Sequence, residues 1–250
     1  MLKYTISILF LLCFFNGWAQ DDPINLNPLD TIVRKQTYGL RVGVDLSRLI
    51  ISQTSEGYTG FEVVGDYRLK QKLYIAGELG NEKKTKQEDL YNFTTSGSYL
   101  KLGIDYNTYE NWYGMNNSIF IGGRYAISSF SQTLNNFQYF DTNRYWNPDT
   151  FPNGSSEAVE FDGLTASWLE FVFGLKAELF TNLYLGGSIR LGFLVNNKEA
   201  EEFPNLFIPG FNKVTDDSKF GIGYNYSLTY LIPLYKKANK KKEEEIENEQ

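Results

Sequence analysis

The chain has 250 residues, of which 16% are aromatic and 22% are charged, and its formal net charge is -6. It contains no histidine and a single cysteine, Cys13. These counts exclude a Ser-His-Asp triad, a Cys-His pair, a Cys/His zinc site, an iron–sulfur cluster and a His-ligated haem, as well as an intrachain disulfide. The excess of acidic over basic residues argues against nucleic acid as a partner. We therefore expect a binding or structural protein without a cofactor.

The N-terminal residues are typical of a secretory signal peptide. Lys3 supplies a positive charge, residues 6–15 are apolar apart from Ser7, and small residues precede a cleavage position after Ala19. The apolar run is too short to span a bilayer as a helix, which takes roughly 20 residues. We predict a signal peptide at residues 1–19 and a periplasmic N-terminal segment at residues 20–36.

Eight later segments alternate between apolar and polar residues, with the period of two that is typical of β-strands. None of the residues in the apolar phase is charged. Taken at every second residue, that phase comprises Leu40 to Leu46, Phe61 to Leu69, Leu73 to Leu79, Leu100 to Tyr106, Ile119 to Ile127, Leu169 to Leu179, Leu183 to Phe193 and Phe220 to Ile232.

Short and long connections alternate between these segments. Residues 70–72 and 180–182 form short connections, residues 107–117 an intermediate one, and residues 128–165 the longest. Tight periplasmic turns and long extracellular loops are typical of transmembrane barrels, and roughly ten tilted residues cover an apolar band of about 25 Å. We predict an all-β fold: an eight-stranded antiparallel up-and-down transmembrane β-barrel at residues 37–235.

The polar phase is predicted to fill the lumen of this barrel. A soluble periplasmic lipocalin-like carrier, which is the other alternative, would alternate equally well, with its apolar phase lining a cavity for an apolar ligand. Glycines interleaved with the charges favour a crowded interior, and a charge facing lipid at mid-membrane would cost about 2 to 4 kcal/mol. The predicted lumen charge network comprises Arg41, Asp45, Glu62, Asp66, Arg68, Glu78, Lys101, Asp105, Arg124, Glu170, Lys176, Glu178 and Arg190.

Two pairs of these carboxylates share one face of a strand. Glu62 lies near Asp66, and Glu170 lies at longer range from Glu178, so each pair could act as acid and base. We favour ion pairs with the similarly numerous Arg and Lys residues instead. The sequence therefore predicts no enzyme activity and no catalytic, cofactor or metal site. Because paired charges would fill a narrow lumen, a porin-like channel is the alternative and not the first hypothesis.

The long connections are rich in aromatic residues. These side chains could pack the loops onto the barrel rim, or they could contact a surface ligand or another envelope protein. No loop has the ligand spacing of a calcium motif. The candidate loop-binding residues are Phe137, Tyr139, Phe140, Tyr145, Trp146, Phe203, Phe207 and Phe211.

The C-terminal residues 236–250 consist largely of Lys followed by Glu, which predicts a disordered periplasmic tail. A contact with peptidoglycan or a periplasmic partner is the alternative. The preceding residues 229–235 resemble the aromatic-ended last strand that the barrel-assembly machinery recognises during biogenesis. We expect outer-membrane localisation, with outer-membrane lipid and lipopolysaccharide as further partners.

Several segments resemble an uncharacterised family of Gram-negative outer-membrane β-barrel proteins. They include YGLRVGVDLSR (38–48), GFEVVGDYRL (60–69), NLYLGGSIRLGFL (182–194) and PNLFIPGFNK (204–213). The resemblance covers nearly all of residues 36–235. It implies the same fold and compartment and adds no activity, since the family has no established functional residues to carry over.

Overall fold

The computed structural model describes residues 35–109, 117–137, 157–200, 203–213 and 218–238. Within these ranges eight strands follow one another around a closed barrel, each antiparallel to its neighbours. The elements are β1 (Lys35–Asp45), α1 (Leu46–Thr54), β2 (Tyr58–Arg68), β3 (Leu73–Gln87), β4 (Tyr91–Asn107), β5 (Ser118–Phe137), β6 (Val159–Phe180), β7 (Leu183–Lys198) and β8 (Phe220–Ala238).

The first and last strands close the barrel. Lys35 pairs with Ala238 and Asp45 with Ser227, and one register shift between Tyr38 and Gly39 interrupts the ladder. Closure gives the backbone N–H and C=O groups of both edge strands a partner. The predicted eight-stranded up-and-down barrel is confirmed. The predicted signal peptide, most of the N-terminal segment and most of the tail lie outside the described residues.

The two ends of the barrel differ. We call the end that carries residues 69–72 and 181–182 the short-turn end, and the opposite end the long-loop end. Both β1 and β8 reach the short-turn end, where their outermost residues pair. The connection between β3 and β4 is shorter than the sequence pattern suggests, because the ladder continues past the apolar phase to the pair of Gln87 with Asn92.

A helix interrupts the alternation at the end of β1, where the sequence pattern predicted strand up to Ser47. Asp45 caps this helix, since its carboxylate accepts a hydrogen bond of 2.7 Å from the backbone N–H of Ser47. Helix α1 packs against β2 and β8. It buries Arg48 and leaves Ile50 exposed.

The apolar phase faces outward and the polar phase faces inward. Leu102 and Ile189 are 54% and 58% exposed, whereas Arg68 and Glu170 are 7% and 6% exposed. A small apolar core also lies inside the barrel, toward the long-loop end. It consists of Tyr99, Ala126, Phe130, Leu164, Ala166, Trp168, Leu194, Ile208 and Phe211.

Inward-facing glycines make room for large rings. A Cβ atom at Gly174 would lie 2.5 Å from the ring of Phe120, and one at Gly192 would lie 2.8 Å from the ring of Phe211. Both positions therefore require the absence of a side chain.

Candidate functional site: a charge-filled lumen

The short-turn end of the lumen is closed by Arg68. Its guanidinium donates to the carbonyl of Gln71 at 2.7 Å and to the carbonyl of Thr37 at 3.2 Å. It also lies 4.8 Å from the ring centroid of Tyr38, a favourable cation–π distance. Arg68 thereby ties the turn between β2 and β3 to β1.

The next layer is centred on Asp66. Arg41 donates to this carboxylate at 2.7 Å, and Lys176 reaches it from the opposite wall. The Arg41 guanidinium also lies 4.8 Å from the ring centroid of Tyr74 and 5.3 Å from that of Tyr184. One carboxylate from β2 therefore joins a cation from β1 to a cation from β6 across the lumen.

The middle layer contains three carboxylates and two arginines. Arg190 forms two contacts with Glu78, one of them at 3.0 Å, and approaches Glu170 at 3.4 Å. Arg124 contacts Asp105 at 2.7 Å and Glu78 at 3.5 Å. Because Glu78 lies between the two arginines, each cation has two carboxylates within 4 Å.

Glu170 connects this layer to the core above it. Lys101 contacts one oxygen of Glu170 at 2.8 Å, and the indole N–H of Trp168 donates to the same oxygen at 2.7 Å. The charge of Glu170 is thus compensated within a buried environment, as buried charges require.

The upper layer contains two charged residues that the sequence pattern did not identify. Arg48 of α1 contacts Glu82 at 2.9 Å and Glu62 at 3.9 Å. Tyr58 donates to Glu82 at 3.0 Å, and Tyr99 donates to Glu62. Glu82 could have been found by extending the inward phase of β3 by two residues beyond Gly80. Arg48 lies in helix α1, so no strand pattern predicted its position in the lumen.

Residues 203–213, which we call the mouth segment, fold into the long-loop end of the lumen. The backbone N–H of Gly210 donates to Glu82 at 3.0 Å. Gln132 holds the segment at two points, accepting from the Leu206 N–H at 3.1 Å and donating to the Pro204 carbonyl at 2.9 Å. The mouth segment therefore forms a folded cap over the charged layers.

Apolar side chains of the mouth segment complete the inner core. Ile208 and Phe211 are buried, and the ring centroid of Phe211 lies 5.5 Å from that of Trp168. Below this core the lumen cavities measure about 20 Å³ beside Glu62 and about 30 Å³ beside Asp66. Each has room for about one or two water molecules.

Most of the predicted network residues meet inside the barrel. Asp45 serves as the cap of α1 and lies 3.8 Å from Arg48. Glu178 is half-buried at the short-turn end, where it accepts from the backbone N–H of Asn182 at 3.0 Å. Arg68 likewise bonds to backbone carbonyls there. The other ten predicted residues form the ion-pair layers described above.

The candidate loop-binding residues occupy different environments. Phe203 is half-buried and stacks on Phe161, with ring centroids 6.0 Å apart. Phe207 is half-buried beneath the ammonium of Lys84, 4.8 Å from its ring centroid. Phe137 is half-buried at the end of β5, whereas Phe211 is part of the inner core. Tyr139, Phe140, Tyr145 and Trp146 lie outside the described residues.

The described residues provide neither a cluster of metal ligands nor a helix that could span a membrane. There is no group of three or more His, Cys, Asp or Glu side chains placed to hold a metal ion. In the same part of the chain, no helix is long and apolar enough to cross a membrane.

Comparison with known proteins shows remote structural similarity and one family. Ail, the attachment invasion locus protein of Yersinia pestis, is 8% identical over 79% of this chain and 99% of its own, with a TM-score of 0.40. CarO of Acinetobacter baumannii is 10% identical over 78% of this chain and 98% of its own, also with a TM-score of 0.40. No curated protein matches the sequence. The family described as a domain of unknown function, DUF6048, matches residues 1–237, and the chain belongs to this family.

Proposed function

We propose that this chain is a non-enzymatic β-barrel of the Gram-negative outer membrane, with a lumen sealed by ion pairs and a binding surface at its long-loop end. The observation that carries the proposal is the opposite character of the two faces of the barrel wall. The outer face presents a belt of exposed apolar side chains, while the inner face holds paired charges.

The outer belt suits hydrocarbon better than water. Leu79, Leu102, Phe171 and Ile222 are all more than half exposed, and they come from four different strands. Monomeric soluble proteins rarely expose contiguous apolar patches larger than a few hundred Å². A bilayer would cover such a belt on all sides. The short-turn end, where β1 begins and β8 ends, would face the periplasm.

The inner face favours a structural or binding role over transport or catalysis. Asp66, Glu78 and Glu170 each contact two cationic side chains, so none is free to act as a general base. Several ion pairs cross the lumen between opposite walls, and the cavities beside Glu62 and Asp66 are of water size. A narrow porin-like channel, the second hypothesis, would need these pairs to separate.

The soluble carrier has the least support. A carrier of an apolar ligand needs an apolar cavity of about 300 to 1,000 Å³. In the described part of the barrel the interior is charged, and the cavity beside Asp66 measures about 30 Å³.

Cell fractionation tests the membrane assignment. We expect the protein to remain in the outer-membrane fraction after washing with alkaline carbonate and to be released only by detergent. Release into aqueous buffer would overturn the proposal and favour the soluble carrier. Planar-bilayer recording tests separately whether the lumen is sealed. Steady conductance of the wild-type protein that disappears in the Asp66→Asn variant would favour the channel.

The binding surface is proposed at Phe203 and Phe207, which are half-buried at the rim of the mouth. Its partner would be lipopolysaccharide or another envelope protein, and the barrel-assembly machinery would act during biogenesis. A pull-down from detergent-solubilised envelope should recover a partner with the wild-type chain and lose it with Phe203→Ser/Phe207→Ser. Equal recovery with both would remove these residues from the binding surface. The variant Phe180→Ser at the opposite end, where Phe180 is exposed, is the matched control.

A further inference from the structure

The short-turn end of the barrel carries an excess of positive charge beside β1. Lys70 and Lys72 flank the turn between β2 and β3, and Lys236 and Lys237 stand at the end of β8. Lys236 and Lys237 pair through their backbones with Thr37 and Gln36 of β1. We call these four lysines the lysine rim.

Arg68 holds both halves of the lysine rim together. Its side chain donates to the Gln71 carbonyl within the turn and to the carbonyl of Thr37, the β1 residue that pairs with Lys236. Tyr38, which lies under the Arg68 guanidinium, stacks on Tyr235 with ring centroids 5.2 Å apart. The rim is therefore a fixed surface and not a set of independent loop lysines.

Exposed apolar side chains lie directly beside the lysine rim. Leu69 precedes Lys70, and Leu234 and Tyr235 precede Lys236, and all three are exposed. An apolar row followed by lysines matches the boundary between the acyl chains and the headgroups of a bilayer, where the ammonium groups extend into the headgroup layer.

The charge excess is confined to this end among the described residues. Glu178 is the acidic side chain at the short-turn end outside the ion-pair layers, and its carboxylate is half-buried. At the long-loop end, the described residues outside the ion-pair layers include six lysines and seven carboxylates. The lysines are Lys83, Lys84, Lys86, Lys198, Lys213 and Lys219, and the carboxylates are Glu56, Glu88, Asp89, Glu157, Glu160, Asp162 and Glu199.

From this asymmetry we infer that the lysine rim binds the headgroups of anionic phospholipids in the periplasmic leaflet. The inference rests on the proposed function, because it requires the barrel to span a membrane. The partner is chosen by charge complementarity and by continuity of the rim with the apolar belt. Lysines close to an anionic lipid surface gain affinity that falls as salt screens the charges.

The test compares two triple variants of the full-length chain in nanodiscs made of equal parts phosphatidylcholine and phosphatidylglycerol. The rim variant is Lys70→Gln/Lys236→Gln/Lys237→Gln. The control is Lys83→Gln/Lys198→Gln/Lys219→Gln, which removes the same charge from three exposed lysines at the other end. Native mass spectrometry gives the ratio of the two lipids that remain bound to the released barrel.

We expect the wild type and the control to retain phosphatidylglycerol preferentially and the rim variant to lose at least about a fivefold preference at low ionic strength. Equal preference in the wild type and the rim variant would overturn the inference. So would an equal loss in both variants, since it would show an effect of net charge alone. Loss of binding to isolated peptidoglycan by the rim variant, with unchanged lipid preference, would assign the rim to cell-wall carboxylates and also overturn it.

Insertion into vesicles of phosphatidylcholine alone separates this inference from the proposed function. Flotation of the wild type and the rim variant with these neutral vesicles would show that the barrel spans a bilayer without the lysines. Failure of the wild type to insert into either kind of vesicle would refute the proposed function itself, and the rim with it.

Discussion

Replacing Glu78 with Gln should destabilise the barrel by unbalancing the charges in the middle layer of the lumen. Glu78 is buried and lies between Arg190 and Arg124. In the wild type the middle of the lumen balances Arg124, Arg190 and Lys101 against Glu78, Asp105 and Glu170. The variant would leave three cations facing two carboxylates in a water-poor interior.

The expected loss follows from the contacts that remain. Breaking a buried ion pair by removing one partner costs about 3 to 5 kcal/mol. Arg124 keeps Asp105 at 2.7 Å, but Arg190 keeps only the more distant Glu170 at 3.4 Å, which it shares with Lys101. We therefore expect Glu78→Gln to lower the free energy of unfolding by about 3 kcal/mol, the lower end of that range.

Urea unfolding of the barrel in vesicles, followed by tryptophan fluorescence, measures this change, since Trp168 is fully buried. Glu178→Gln is the matched control. Glu178 is half-buried and bonds to a backbone N–H, so its replacement should cost less than about 1 kcal/mol. The double variant Glu78→Gln/Arg190→Met should recover much of the loss, because it restores the charge balance. A cost below about 0.5 kcal/mol for Glu78→Gln would refute the view that this carboxylate neutralises the lumen.

Four further changes probe other parts of the barrel, each by urea unfolding against the wild type. Phe211→Ala should cost about 3 to 5 kcal/mol because it empties the inner core beside Trp168, and a smaller loss would mean that the mouth segment is not packed. Gly174→Val should cost about 1 to 3 kcal/mol through overlap with Phe120, and no loss would contradict the tight fit there. Leu102→Arg should cost about 2 to 4 kcal/mol in vesicles, and an unchanged stability would place Leu102 outside the hydrocarbon. Asp45→Ala should cost about 0.5 to 2 kcal/mol through loss of the α1 cap, whereas Thr59→Ala should have little effect.

The barrel could be predicted from the sequence because each strand has one buried and one exposed face. A period of two that stays free of charge in one phase predicts the strand, and the glycines interleaved with the charges favour the charged phase as the inner one. These glycines and the cost of a charge facing lipid predicted Glu170 and Arg68 inside the barrel, and the structure places them there. The register was not predictable in the same way, since the bulges between Phe130 and Gln132 and between Ser167 and Trp168 leave no periodic signal.

The parts of the lumen that were missed lie where the period ends. Arg48 comes from a helix that begins at the capping residue Asp45, within a segment whose alternation continues to Ser47. Glu82 follows the apolar phase of β3, whose outward residues become polar at Asn81. The mouth segment has no alternating sequence pattern of its own. Its position is determined by long-range hydrogen bonds between its backbone and the side chains of Gln132 and Glu82. Such contacts depend on tertiary structure and not on local pattern.

The most direct test of the two-faced wall is the environment of the apolar positions along β4, taken at every second residue, in a bilayer. Spin labels would be placed on single-cysteine variants of the chain without residues 1–19, which contain its one cysteine. Labels at Leu100, Leu102 and Ile104 should collide frequently with oxygen and rarely with a water-soluble nickel complex, as expected for side chains in lipid. A higher accessibility to nickel than to oxygen at these three positions would contradict the account, because it would place the apolar phase in water.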